Sequence, residues 1–85
     1  MQKEGKLIGT ITHYFSNIGV AVIDLKDKLV VGDEVRIIGG EDTDFNQTID
    51  SMEMDHEKIK KAKKGDSIGT KVDKKVREGY KVYKA

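Results

Sequence analysis

The chain has 85 residues, 36% hydrophobic and 36% charged, with no Cys, Trp or Pro, which allows a single domain with one thin core. Without Cys there is no disulfide framework and no cysteine-based zinc or iron–sulfur site, which fits a reducing compartment. The net charge of +1 hides a segregation: residues 1–40 are neutral, residues 41–55 carry −6 and residues 56–85 carry +7.

Read in chain order, the apolar residues recur with period two, the spacing of strands. Leu7, Ile11 and Phe15 mark one face of a first strand and Ile8, Thr10 and Thr12 the other, Ser16-Asn17 turns the chain, and residues 18–25 form a second strand, giving a hairpin. Leu29-Val30-Val31-Gly32-Asp33 is a tight turn leading to a strand with Val35, Ile37 and Ile38, closed by Gly39-Gly40. Gly32 accepts a positive φ at no steric cost, and Asp33 bonds nearby backbone. Phe45, Gln47 and Ile49 alternate, and Met52 and Met54 continue on the opposite phase, so a β-bulge is predicted within Asp50-Ser51. Residues 56–64 read as an extended connection. Gly65-Asp66 repeats the turn signal ahead of Ile68, Thr70 and Val72, and Gly79-Tyr80 precedes a last strand through Tyr83. About six short strands with regular turns predict an all-β fold, a small closed antiparallel β-barrel forming one domain over residues 1–85.

The charged N-terminus lacks the apolar stretch of a signal peptide, and no apolar run approaches the roughly 20 residues of a membrane span. A cytoplasmic location with no membrane partner is therefore expected. Neither GxxxxGK[ST] nor GxGxxG occurs, so no nucleotide cofactor is expected by those routes. His13 and His56 are far apart in sequence. His56 lies among Glu53, Asp55 and Glu57, residue types that ligate metals, but neighbouring strand side chains face opposite ways, so neither a metal nor another cofactor is expected. Ser16, Ser51 and Ser67 carry no nucleophile–base signature, and no catalytic residue is assigned. Tyr80 and Tyr83 beside Lys81 and Lys84 are either a stacking platform for single-stranded nucleic acid or ordinary amphipathic tyrosines.

Two families resemble this sequence. The run Gln47-Thr48-Ile49-Asp50-Ser51-Met52-Glu53-Met54-Asp55-His56-Glu57 is similar to the second domain of translation elongation factors, where archaeal and eukaryotic members have SVEMHHE. Gly9-Thr10-Ile11-Thr12, Val31-Gly32-Asp33-Glu34-Val35 and Ala62-Lys63-Lys64-Gly65-Asp66-Ser67-Ile68-Gly69 resemble further motifs of that domain in the same order. The resemblance implies a small β-barrel of the translation-factor domain 2 type that binds the acceptor end of tRNA, with Glu53 and His56 at the site. His56 stands where the bacterial factor has an Arg, and Gly79-Tyr80 where Gly-Asp is usual. The GTPase motifs are absent. The run Asp44-Phe45-Asn46-Gln47-Thr48-Ile49-Asp50-Ser51-Met52 also resembles the C-terminal domain of collagenase-like peptidases, which implies an accessory module for such enzymes or for related RNA-modifying proteins.

Two functions follow as expectations. In the first, Lys60, Lys61, Lys63, Lys64, Lys74, Lys75 and Arg77 form one basic face that meets the phosphates of tRNA, another RNA or a ribonucleoprotein, with Glu53 and His56 alongside. In the second, the acidic residues between Glu41 and Asp55 meet a basic protein partner in translation or RNA modification.

Overall fold

A computed structural model describes residues 6–40 and 43–85. It contains ten strands, β1(Leu7–Phe15), β2(Val20–Leu25), β3(Leu29–Val30), β4(Glu34–Gly39), β5(Thr43–Thr48), β6(Met52–Met54), β7(Glu57–Ile59), β8(Lys61–Ala62), β9(Ser67–Lys71) and β10(Lys81–Lys84). There is no helix among the described residues. Eight strands form one antiparallel sheet in the order β5-β4-β10-β1-β2-β9-β6-β7, and β3 pairs with β8 in a separate two-stranded ribbon.

The all-β expectation holds, but the closed barrel of about six strands does not, because β5 and β7 remain as two unjoined edges. The predicted bulge at Asp50-Ser51 marks the cause. At Ile49 the chain leaves the sheet altogether. The Ile49 amide donates to Asp33 O and the Ile49 carbonyl accepts from the Gly32 amide, both at 2.8 Å. The phase change between Phe45/Ile49 and Met52 therefore separates two strands at different places in the sheet. The open side is spanned by a side chain. Buried Gln47 donates from Nε2 to Lys71 O and accepts at Oε1 from the Asp73 amide, both at 2.8 Å. Within the sheet, Thr70 Oγ1 on β9 donates to Ser51 O, just ahead of the neighbouring β6, at 2.7 Å. Residues 56–64, expected to be a plain connection, contain β7 and β8.

The bulges lie in β1 instead. Register shifts occur between Leu7 and Gly9 against β10, and between Ile11 and His13 against β2. Each inserts one residue and reverses which side faces inward. Ile8 and Ile11 are thus both buried, Tyr14 leans on the core, and Phe15 points outward, contrary to the expected face of Leu7, Ile11 and Phe15.

The repeated turn signal has one backbone design. In Val30–Asp33 the Asp33 amide donates to Val30 O at 3.1 Å, and Asp33 Oδ2 accepts the Val30 amide at 3.1 Å. In Lys63–Asp66 the equivalent distances are both 3.0 Å. Gly32 and Gly65 at the third position have φ of +102° and +93°, a region open to glycine and strained for other residues. Arg77–Tyr80 repeats the turn with Gly79 at φ +92° and the Tyr80 amide donating to Arg77 O at 3.3 Å. Tyr80 replaces the capping Asp there, and its ring packs on Gly39. The concave side of the sheet encloses the core, built on Ile8, Ile11, Ile23, Leu25, Val35, Ile37, Ile68 and Val82, with Leu29 and Met52 from its margins.

Candidate binding site

The β1–β2 hairpin carries the most exposed large apolar side chains. Its turn is tied by the Ile18 and Gly19 amides, which donate to Phe15 O at 3.2 and 2.8 Å. Because the bulge at Thr12 turns Phe15 outward, Phe15 is 43% exposed and Ile18 at the turn 56%. The His13 ring stands edge-on to Phe15, centroids 4.4 Å apart. Isolated exposed apolar residues are ordinary; here two lie at one hairpin tip.

Two clefts flank the hairpin. In the first, Ile18 and Val20 face Glu53, Lys58 and Lys71, with Gly69 between them. Glu53 lies opposite both Lys58 on β7 and Gly69 on β9. In the second, Tyr14 and Ser16 of the hairpin and Thr43 of β5 face Lys75, Arg77 and Tyr80 of the segment between β9 and β10.

The structure sorts the sequence-predicted residues into separate groups. Glu53 is exposed on β6 beside the first cleft. His56 is exposed at the tip of the β6–β7 hairpin. There Asp55 and His56 have φ of 55° and 67°, the two positive values of a type I′ turn. Lys60, Lys61, Lys63 and Lys64 are exposed around β8 and the Gly65 turn, next to Leu25, to which Gly65 and Asp66 are hydrogen-bonded. Lys74, Lys75 and Arg77 are exposed beyond the other end of β9, where Val72 bonds to Gly19. Lys74 Nζ sits 5.8 Å from the Phe45 ring centre, within cation–π range. The length of β9, roughly 14 Å at strand rise, separates the two cationic groups, so they do not form one continuous face. Lys75 and Arg77 do come together, in the second cleft.

The acidic block is likewise dispersed. Glu41 and Asp42 lie outside the described residues. Asp44 on β5 binds Arg36 at 2.7 Å through both carboxylate oxygens, and the Arg36 hydrogen bond holds its carboxyl below the usual Asp range. Glu53 is on β6, near the opposite edge of the sheet. Among the described residues no three His, Asp or Glu side chains are grouped to hold a metal ion, and no helix is long and apolar enough to cross a membrane. Sequence reasoning missed Ile18 at the hairpin tip and the pairing of Tyr14, Ser16 and Thr43 with Lys75 and Arg77. The apolar residue in a polar turn was the one readable signal.

Fold and surface thus define a small all-β domain with an apolar hairpin tip between two polar clefts. A family model for the peptidase family U32 C-terminal domain matches residues 3–80, and the chain belongs to that family. It is 36% identical over 76 residues to an uncharacterized protease of Methanocaldococcus jannaschii, covering 89% of this chain and 19% of the relative. It is 32% identical over 78 residues to a collagenase of Porphyromonas gingivalis, covering 91% of this chain and 22% of the relative. The chain therefore spans about a fifth of the length of these relatives. A crystal structure of the C-terminal domain of a Geobacillus thermoleovorans protein described as a U32 peptidase superposes with a TM-score of 0.88 at 21% identity, covering 93% of this chain and 99% of that one. A second crystal structure of that domain gives 0.88 at 20% identity, covering 100% and 98%. The matched family is the second of the two that the sequence resembles. The elongation-factor resemblance has no counterpart among these relatives, and they lend RNA binding no support.

Proposed function

We propose that this domain acts by binding rather than by catalysis, as an accessory module that docks on a protein of the U32 peptidase type. The observation that carries this reading is the exposed pair Phe15 and Ile18, held out by a bulge and a tied turn beside the cleft of Val20, Glu53, Lys58 and Lys71. A projecting aromatic–aliphatic pair with charged residues around it has the composition of a protein-binding anchor and rim. In relatives named as a protease and a collagenase, the matched region is a fifth of a longer chain, so a peptidase-like partner suits it. Binding to tRNA or another RNA draws less support, since its proposed lysines fall into two groups.

The test is calorimetric titration of this chain against the remaining four-fifths of the archaeal relative. Saturable binding that weakens about tenfold or more in Phe15→Ser/Ile18→Ser, as loss of apolar anchors demands, supports the module. Absent binding, or binding indifferent to both changes, sinks it. A parallel titration with tRNA that saturates at near-physiological salt would instead favour the RNA reading.

A further inference from the structure

We propose that the second cleft binds a small organic oxyanion, a phosphate or carboxylate carried on a planar or apolar body. Its cationic wall is a fixed segment. The Val72 amide donates to Gly19 O at 3.0 Å and the Asp73 amide to Gln47 Oε1 at 2.8 Å. At the far end the Gly79 amide donates to Ile11 O at 2.7 Å, and the Ile11 amide donates to Tyr80 O at 2.8 Å. Between these ties Val76 is buried in the core. With Val76 anchored inward, Lys75 and Arg77 on either side of it reach the cleft. Neither has an ion-pair partner among the described residues. A guanidinium and an ammonium without a carboxylate partner are the groups that take phosphate or carboxylate, the former through two parallel hydrogen bonds.

The opposite wall supplies neutral donors. Ser16 and Thr43 add aliphatic hydroxyls and Tyr14 a phenolic one, and Tyr80 on the cationic side adds a second phenol. Tyr80 also provides an aromatic surface, because its ring lies where a side chain on Gly39 would be. A Cβ on Gly40, at φ +59°, would stand 2.9 Å from the Tyr80 hydroxyl, so the glycine pair makes room for the ring. The described carboxylate of this cleft, Glu78, is directed at His13, 3.5 Å from Nδ1. The cleft measures about 650 Å³ and is open, within the size range of small-molecule sites. Two cations, four hydroxyls and aromatic surface suit an anion with a ring better than a bare ion.

The experiment is an amide NMR titration of the full chain at constant ionic strength with inorganic phosphate, phenyl phosphate and benzoate. Saturable shifts are expected at residues 14–16, 43 and 75–80, with at least one aryl anion binding about tenfold tighter than inorganic phosphate. Arg77→Gln should weaken that binding about tenfold, on the scale of a charge-assisted hydrogen-bond pair. Lys61→Gln, at the other end of β9, should leave it unchanged. Comparing phenyl phosphate with benzoate identifies the oxyanion. Shifts that never saturate, or an equal response to Arg77→Gln and Lys61→Gln, overturn the site. So does a short RNA oligonucleotide that shifts both cationic groups while neither aryl anion binds.

Discussion

The open side of the sheet makes a quantitative demand on Gln47. The residue is only 6% exposed, and its side chain joins β5 to the last residue of β9 and to Asp73 just beyond it through two hydrogen bonds of 2.8 Å. The partners, Lys71 O and Asp73 N, lie 24 and 26 residues ahead in sequence, so no local structure replaces them. Gln47→Leu keeps a similar volume and removes both bonds. Each such bond contributes about 1 kcal/mol net, and a buried group left unpaired costs about 1–3 kcal/mol more. A loss of about 3 kcal/mol is expected, a large part of a small domain's stability. In urea, with a slope of about 1 kcal/mol/M for a chain this short, the midpoint should fall by roughly 3 M. The unfolding is followed by tyrosine fluorescence, since the chain has three Tyr and no Trp, together with circular dichroism. Hydrogen exchange supplies the local check, because the Asp73 amide should lose its protection selectively. A midpoint within about 0.5 M of the parent, or unchanged protection at Asp73, would refute the account of how the open side is held.

Three further outcomes follow. Gly39→Ala places a methyl group against the Tyr80 ring at its Cγ and Cδ carbons. It should cost about 1–3 kcal/mol in thermal or urea unfolding, as overpacking does, and the cost should shrink in a Tyr80→Leu background. His56→Gly relieves a residue held at φ 67° and should stabilise the β6–β7 hairpin by about 0.5–1 kcal/mol, the left-handed penalty of about 1–2 kcal/mol less the greater unfolded-state entropy of glycine. A melting temperature that falls would instead show that the His56 side chain supports the fold. The carboxyl of Asp44 titrates below its usual range, chiefly through the Arg36 hydrogen bond. Its contribution is therefore present above the unfolded pKa and lost as pH falls through the folded one. Asp44→Asn should lower the melting temperature slightly at pH 7 and leave it unchanged at pH 2. An equal loss at both values would assign the effect to packing.

Strand formation and the turns are local matters, and the sequence determined both. The runs read as strands over residues 18–25, at Val35, Ile37 and Ile38, and at Phe45, Gln47 and Ile49 became β2, β4 and β5, with ends shifted by one or two residues. The Gly-Asp pairs at 32–33 and 65–66 became two turns with the same hydrogen bonds, because a positive φ and a short carboxylate act within four residues. The run Asp44–Met52 likewise carried the resemblance to the family that the chain belongs to. What the tertiary structure alone decided is where strands meet and which side chains face outward. A bulge is set by the register against a neighbouring strand, so the outward turn of Phe15 had no signature within β1. The phase change at residues 49–51 read as a bulge but is a break, made by Gly32 and Asp33, which bind the Ile49 backbone. The same holds for the cationic residues. A net charge of +7 over residues 56–85 is a property of the chain, but its division into two groups follows from β9 running between them. Convergence of Lys75 and Arg77 with Tyr14, Ser16 and Thr43 depends on contacts between distant segments, which no spacing along one strand encodes.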